Sequence, residues 1–141
     1  MGAFQKRQLT SPFLGKRTLV ETSKNDLKHH GGVDRAVCLF SIEIIQALKE
    51  EGHPISPGST GENLTIEGID WSLMTSGTTL SVGEAEIELT WPAPPCKTIK
   101  DSFTDGQFIR ISEKKNPGFS RWYARVLKEG VVCKNDKVIV I

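Results

Sequence analysis

Hydrophobic and polar residues alternate with a period of two along much of the chain. The clearest stretch is 84–91, in which four apolar residues share one face and four polar residues share the other. This alternation is typical of a β-strand with one buried and one solvated face. The predicted buried face holds Ala85, Ile87, Leu89 and Trp91.

Shorter stretches of the same kind predict further strands. They are 17–21, 36–40, 63–67, 78–82, 108–111 and 122–127. The last four residues, 138–141, are apolar throughout, which predicts a strand that is buried on both sides. Asn135 and Asp136 precede it and predict a tight turn.

One helix is predicted, around residues 42–51. An apolar stripe with helical spacing lies between Ser41, a typical N-cap, and Gly52, a typical helix stop. The stripe consists of Ile44, Ile45 and Leu48. Many short strands with a single helix indicate a mainly β fold, either a barrel or a sandwich, because closure protects strand edges.

Length and charge narrow the class of protein. A chain of 141 residues fits one domain, 1–141. Its 18 Lys and Arg against 17 Asp and Glu give a net charge of +1, which argues against a nucleic-acid partner. Residues 1–16 lack the apolar run of a signal peptide, and no stretch has the length of a membrane span. We expect a cytoplasmic protein without a membrane partner, or a piece of a larger protein.

The three cysteines differ in their surroundings. Their odd number, wide spacing and lack of a CxxC pair suit neither a disulfide framework nor a zinc site. Cys38 and Cys133 lie beside apolar residues, as small buried side chains do. Cys96 follows three prolines within 92–95 and precedes Lys97, so its thiol is the candidate for reactivity. Lys97 and Lys100 are expected to favour its thiolate, while a buried apolar role is the alternative.

Three loops carry candidate chemistry: the histidine loop (28–35), the glycine loop (57–63) and the proline loop (91–97). The histidine loop combines two imidazoles, cations and glycines, which suit an anionic ligand, although a polar surface turn is an equal interpretation. Two adjacent histidines without a second ligand cluster are a weak metal site. The glycine loop offers amides and the Ser59 and Thr60 hydroxyls to an oxyanion; the alternative is a plain connection.

These loops, in this order, resemble those of the MOSC domain family, the C-terminal domain of molybdenum cofactor sulfurases, and particularly its small stand-alone members. The resemblance covers roughly residues 18–141. The matching stretches are His30-Gly31-Gly32 with Asp34-Arg35-Ala36-Val37, Pro57-Gly58 with Gly61-Glu62-Asn63-Leu64, Val82-Gly83-Glu84-Ala85, Pro95-Cys96, and Tyr123-Ala124-Arg125-Val126-Leu127 with Gly130 and Val131. Asn135-Asp136 departs from the Gly-Asp that is common in the family.

The resemblance implies a fold and a ligand. The fold is a closed or nearly closed β-barrel of mixed or antiparallel strands, similar to the pyruvate-kinase barrel. The ligand is the molybdenum cofactor (molybdopterin), a pterin dithiolene with a phosphate. Cys96 would be the catalytic residue, either as a molybdenum ligand or as a carrier of persulfide sulfur. The residues implied to hold the pterin and phosphate are Lys28, His29, His30, Gly31, Gly32, Arg35, Gly61, Glu62, Asn63, Lys97 and Arg125.

Three functions follow as hypotheses. The first is molybdenum cofactor binding for sulfur transfer or for the reduction of N-hydroxylated compounds. The second is a persulfide relay without a metal, and the third a non-catalytic cofactor carrier, so enzymatic activity is left open. The partner would be a cysteine desulfurase or an electron-donor protein, because no dinucleotide fingerprint or iron–sulfur cysteine cluster is present. Pyridoxal phosphate binding is a further association at the level of the family.

Overall fold

The computed structural model describes residues 7–10, 18–20 and 32–141, with the side chains of Val20 and of residues 34–141. It contains nine strands and one α-helix in these ranges. The strands are β1 (Arg7–Thr10), β2 (Thr18–Val20), β3 (Val37–Ser41), β4 (Leu64–Ile66), β5 (Thr79–Val82), β6 (Ala85–Ala93), β7 (Arg121–Lys128), β8 (Gly130–Val132) and β9 (Lys137–Val140), and the helix is α1 (Ile42–Glu50). The 3₁₀ helices are Gly32–Arg35, Trp71–Leu73, Lys97–Ser102, Thr104–Gly106 and Phe108–Ile111.

Seven of the strands form a closed barrel in the order β1-β4-β3-β7-β6-β5-β9. β3 and β4 are parallel and the other neighbours are antiparallel, so the barrel is mixed. β2 and β8 form a separate antiparallel pair. The predicted mainly β barrel is therefore confirmed.

Helix α1 makes the crossover between the two parallel strands. Ser41 ends β3 and caps the helix, because its hydroxyl accepts a hydrogen bond from the Ile44 amide at 3.3 Å. The stripe predicted from sequence is buried against the barrel and consists of Ile44, Ile45 and Leu48. Gly52, with φ +101°, follows the helix where a left-handed residue is needed. The prediction of a helix around 42–51 is confirmed.

Three predictions of local structure are wrong. Residues Phe108–Ile111 form a 3₁₀ helix rather than a strand, and four apolar residues alone do not distinguish the two. Trp91 is 37% exposed, because an irregularity in the pairing between Leu89 and Pro92 shifts the alternation and buries Thr90 instead. The final apolar stretch is not buried on both sides: only Val138 is buried, and Ile141 is 60% exposed.

Other predictions hold with small changes. Strand β1 was not predicted, whereas the strands at 17–21, 36–40, 63–67, 78–82, 84–91 and 122–127 are present with bounds shifted by one or two residues. The turn at Asn135 and Asp136 is confirmed, with Asn135 in the left-handed region at φ +72°. Within the described ranges, no helix is both long and apolar enough to cross a membrane.

Candidate functional site

Cys96 lies where the chain leaves the barrel and enters the 3₁₀ helix Lys97–Ser102. β6 ends at Ala93, and the prolines that follow bring Cys96 to the N-cap position of that helix with an extended backbone. Its thiol is exposed, and its Sγ lies 2.8 Å from the hydroxyl oxygen of Thr98. The sequence therefore places a cysteine at a fixed, accessible point beside the end of a barrel strand.

The surroundings of Cys96 lower the pKa of its thiol below the ordinary value. The largest cause is the hydrogen bond from the Thr98 side chain, followed by a hydrogen bond from the Thr98 backbone and, more weakly, the positive charge of Arg121. These groups, rather than the expected Lys97 and Lys100, favour the thiolate. Burial has the opposite effect on Cys38 and raises the pKa of its thiol to about 12. Cys133 is partly buried.

Arg121 joins two of the predicted loops. Its side chain is buried, and one Nη donates to the carbonyl of Thr60 at 2.6 Å while the other donates to that of Pro94 at 3.0 Å. Arg121 thus links the glycine loop to the proline loop. Arg121 was not among the predicted site residues, because its place in the alternation of β7 predicts exposure.

The glycine loop is organised around the carboxylate of Glu62. Glu62 is 3% exposed and accepts hydrogen bonds from the Gly58 amide at 2.7 Å and from the Thr60 hydroxyl at 2.6 Å. The hydroxyl of Thr65 lies 3.4 Å from the same carboxylate. Gly58 and Gly61 have φ values of +84° and +82°, a conformation that favours glycine. The Glu62 side chain therefore acts as an internal hydrogen-bond acceptor that shapes the loop.

Most of the loop amides already have partners inside the protein. The Ser59 amide donates to Ser56, the Gly61 amide to Gly58, and the Asn63 amide to Cys38. The Asn63 side chain accepts from the Cys38 amide at 2.8 Å, which fastens the loop to β3. An open cavity of about 400 Å³ borders the loop. It is lined by Ser56, Pro57, Gly58, Ser59, Gly61, Glu62 and Asn63.

A second contact ties the glycine loop to the segment after Cys96. The hydroxyl of Ser102 lies 2.8 Å from that of Ser59 and 3.2 Å from its carbonyl oxygen. Ser102 is in the same 3₁₀ helix that Cys96 caps. The segment that carries Cys96 is therefore linked to the glycine loop on both sides of the cysteine, through Arg121 at Pro94 and through Ser102.

The basic residues expected near the cofactor occupy a neighbouring region of β6 and β7. Arg125 is about half exposed, and its Nε lies 3.4 Å from carboxylate oxygens of both Asp34 and Glu88. Arg35 is exposed, with its guanidinium 5.5 Å from the ring centroids of both Trp91 and Tyr123. These contacts fix both guanidinium groups at the barrel wall.

Several predicted site residues lie outside the described residues. They are Lys28, His29, His30 and Gly31. Gly32 begins the 3₁₀ helix Gly32–Arg35, and Lys97 is exposed beside Cys96. In the part of the chain that the structure describes, no group of three or more His, Cys, Asp or Glu residues could hold a metal ion.

Fold and site together define a class: a mixed β-barrel protein with an exposed cysteine of lowered pKa on a loop that is linked to a glycine-rich loop. The model of the MOSC domain family matches residues 26–139, and the chain belongs to that family.

Relatives with known sequences or structures support the same assignment. YflK of Bacillus subtilis (strain 168) is 32% identical over 108 residues, which are 76% of this chain and 48% of YflK. A protein named Reductase from Gibberella moniliformis is 25% identical over 144 residues, 99% of this chain and 25% of that protein. The crystal structure of YiiM from Geobacillus stearothermophilus has a TM-score of 0.71 and 25% identity, covering 91% of this chain and 62% of that one. The chain spans about half the length of YflK and a quarter of the reductase.

Proposed function

We propose that this chain binds the molybdenum cofactor and that Cys96 is the residue that contacts the metal. The observation that carries the proposal is the exposed Cys96 thiol, whose pKa is lowered by Thr98 and by the buried Arg121. The reaction served would be sulfur transfer or the reduction of N-hydroxylated compounds. A relative named Reductase supports a reduction in general terms.

The chemistry of Cys96 fits this cofactor. A thiolate is a soft ligand, and one such donor suits a metal that arrives already bound to the two sulfurs of a dithiolene. The lowered pKa increases the fraction of thiolate, which is the ligating form. Exposure of the thiol leaves it accessible to a ligand from solvent.

Each residue of the site has a distinct task in this proposal. Cys96 supplies the sulfur, and the Thr98 hydroxyl orients that sulfur by donating to it. Lys97, Arg35 and Arg125 supply positive charge for the pterin and its phosphate, as do Lys28, His29 and His30 of the histidine loop. Gly31, Gly32 and Gly61 allow close approach of the backbone, while Glu62 and Asn63 act by holding the glycine loop in shape. When bound, the cofactor supplies a metal that exchanges electrons, and these would come from a separate donor protein.

The test measures metal content. The wild-type chain, Cys96→Ser and Cys133→Ser would be purified from a host that makes the cofactor, and molybdenum would be determined by mass spectrometry. Cys133→Ser is the matched control because it removes a thiol that is partly buried and outside the site. We expect molybdenum in the wild type and in Cys133→Ser, and a large loss in Cys96→Ser. Equal molybdenum in all three proteins, or none in the wild type, would overturn Cys96 as the ligand.

A persulfide relay is the second candidate, and the same exposed thiol favours it. The Cys96 thiolate would attack the outer sulfur of a desulfurase persulfide, forming one S–S bond as the donor S–S bond breaks and the donor cysteine leaves as a thiolate. No external oxidant is needed for this exchange. Cyanolysis of the wild type and of Cys96→Ser after incubation with a cysteine desulfurase tests it. Sulfane sulfur on the metal-free wild type alone supports the relay, and its absence rules the relay out.

A non-catalytic carrier differs from both candidates in turnover. Cofactor retention with no reduction of an N-hydroxylated substrate in the presence of an electron donor would support a carrier. Pyridoxal phosphate binding stays a family-level association, and no contact among the described residues argues for it.

A further inference from the structure

Arg121 is a charged residue that is buried where its own strand predicts exposure. In β7, Tyr123, Arg125 and Leu127 share the outer face, and Arg121 has the same parity. Its exposure is nevertheless only 7%. The partner strand β6 is irregular between Leu89 and Pro92, and Ala93 pairs with Arg121 just before the chain turns away. The proline loop and the glycine loop then cover the guanidinium.

The partners of Arg121 are unusual for a buried cation. Its hydrogen bonds go to two neutral carbonyls, those of Thr60 and Pro94, and its Nε is buried without a partner among the described residues. It makes no ion pair with a described carboxylate. Burial of a charge with neutral acceptors and one unmet donor is unfavourable for stability. Residues that break such rules are concentrated at functional sites.

The two carbonyls belong to the two loops that make the candidate site. Pro94 precedes Cys96 by two residues, and Thr60 lies within the loop that Glu62 organises. The planar fork of a guanidinium donates in two fixed directions, which neither lysine nor glutamine reproduces. The same side chain thus sets the distance between the loops and leaves a positive charge near the Cys96 sulfur.

We propose that Arg121 is the positioning residue for Cys96, clamping the proline loop against the glycine loop and holding a positive charge close to the segment that carries the reactive sulfur. The inference rests on the proposed function only in taking Cys96 as the reacting group. It concerns the protein without cofactor and can be tested on it.

The test compares Arg121→Gln, which keeps a polar side chain without the charge, with Arg121→Lys, which keeps the charge without the fork. The rate of Cys96 alkylation by iodoacetamide at pH 7 is followed by peptide mass spectrometry, with Cys133 as the internal reference. We expect Arg121→Gln to slow the alkylation of Cys96 by about threefold, well below the tenfold of a full pKa unit, because the Arg121 charge is the smallest of the causes that lower the pKa. Arg121→Lys should stay within about twofold of the wild type, because the charge is retained.

Hydrogen exchange tests the clamp itself. In both variants the glycine loop and the Lys97–Ser102 helix should exchange faster together, since a single side chain links them. Arg110→Gln is the control, because Arg110 is a partly buried arginine that pairs with Glu51 at 2.7 Å and takes part in neither hydrogen bond of the clamp. It should leave both readouts unchanged. If Arg121→Gln does not fold, Arg121→Lys still tests the clamp by exchange.

Several results would overturn the inference. One is an unchanged rate of Cys96 alkylation in folded Arg121→Gln. Another is an equal loss of alkylation rate in Arg121→Lys or in Arg110→Gln. The third is faster hydrogen exchange in only one of the two segments, the glycine loop and the Lys97–Ser102 helix, or in neither. These outcomes are independent of molybdenum content: a wild type without metal would remove the proposed function and leave the positioning role of Arg121 intact.

Discussion

The internal carboxylate of Glu62 gives the sharpest prediction for stability. Glu62→Ala removes a side chain that is 3% exposed and accepts from the Gly58 amide and the Thr60 hydroxyl at 2.7 and 2.6 Å. The contact with the Thr65 hydroxyl, at 3.4 Å, is long and adds little. The substitution leaves two donors without their acceptor in a largely buried place. The glycine loop should therefore lose much of its order.

The magnitude follows from those two donors. A buried donor left without a partner costs about 1–3 kcal/mol, so the two together predict a loss of about 2–6 kcal/mol in the free energy of unfolding. Glu62→Gln keeps the size of the side chain but turns one oxygen into an NH₂ group that faces a donor. It should cost about 1–3 kcal/mol, less than alanine.

Urea denaturation of the wild type and the variants measures these losses, with the slope against urea checked for constancy. Glu67→Ala is the matched control, because Glu67 is an exposed glutamate just after β4 and its loss should change stability by less than about 0.5 kcal/mol. The reasoning is refuted if Glu62→Ala is no more destabilising than Glu67→Ala.

Two further predictions concern single contacts. Thr98→Val removes the hydroxyl that lies 2.8 Å from Cys96 Sγ and that keeps the pKa of the thiol low. The substitution should therefore raise this pKa and shift the pH profile of Cys96 alkylation to higher pH. An unshifted profile would contradict this cause. Gly130→Ala places a Cβ 2.8 Å from the backbone carbonyl carbon and oxygen of Glu84. We expect the free energy of unfolding, measured by urea denaturation, to fall by about 1–3 kcal/mol. A variant as stable as the wild type would show that the strand can move aside.

The strands were predictable because their alternation is set by which face meets the core. Ala85, Ile87 and Leu89 are all buried, as their period of two requires. Trp91, two residues further along the same strand, is exposed because the irregularity in β6 changes the parity. A bulge depends on how β6 pairs with β7, which is distant in sequence, so it cannot be predicted from the alternation within 84–91.

The site was predictable only in part, for the same reason. Cys96 and the glycine loop stand out by composition, and the structure brings them to one place through Arg121. Strand parity alone assigns Arg121 to solvent, and its burial comes from the two loops whose carbonyls it binds. Thr98 was missed because its hydroxyl matters only once the chain turns into a 3₁₀ helix after Cys96. Strand alternation and composition show which residues are apolar or reactive, whereas the roles of Arg121 and Thr98 come from contacts that exist only in the folded chain.

The internal bonds of the glycine loop also decide how an anionic cofactor would be held. Because the amides of Gly58, Ser59, Gly61 and Asn63 already donate within the protein, we expect positive side chains to be the main donors to a phosphate at this site. Arg125 would have to exchange its two half-exposed ion pairs for the phosphate, and such pairs are worth only about 0–1 kcal/mol each. Binding by exposed side chains is screened by salt, whereas amide donors held in a closed loop are much less sensitive. Cofactor retention measured over a series of ionic strengths should therefore fall as salt rises, and retention that is independent of salt would indicate that the loop amides are released to bind it.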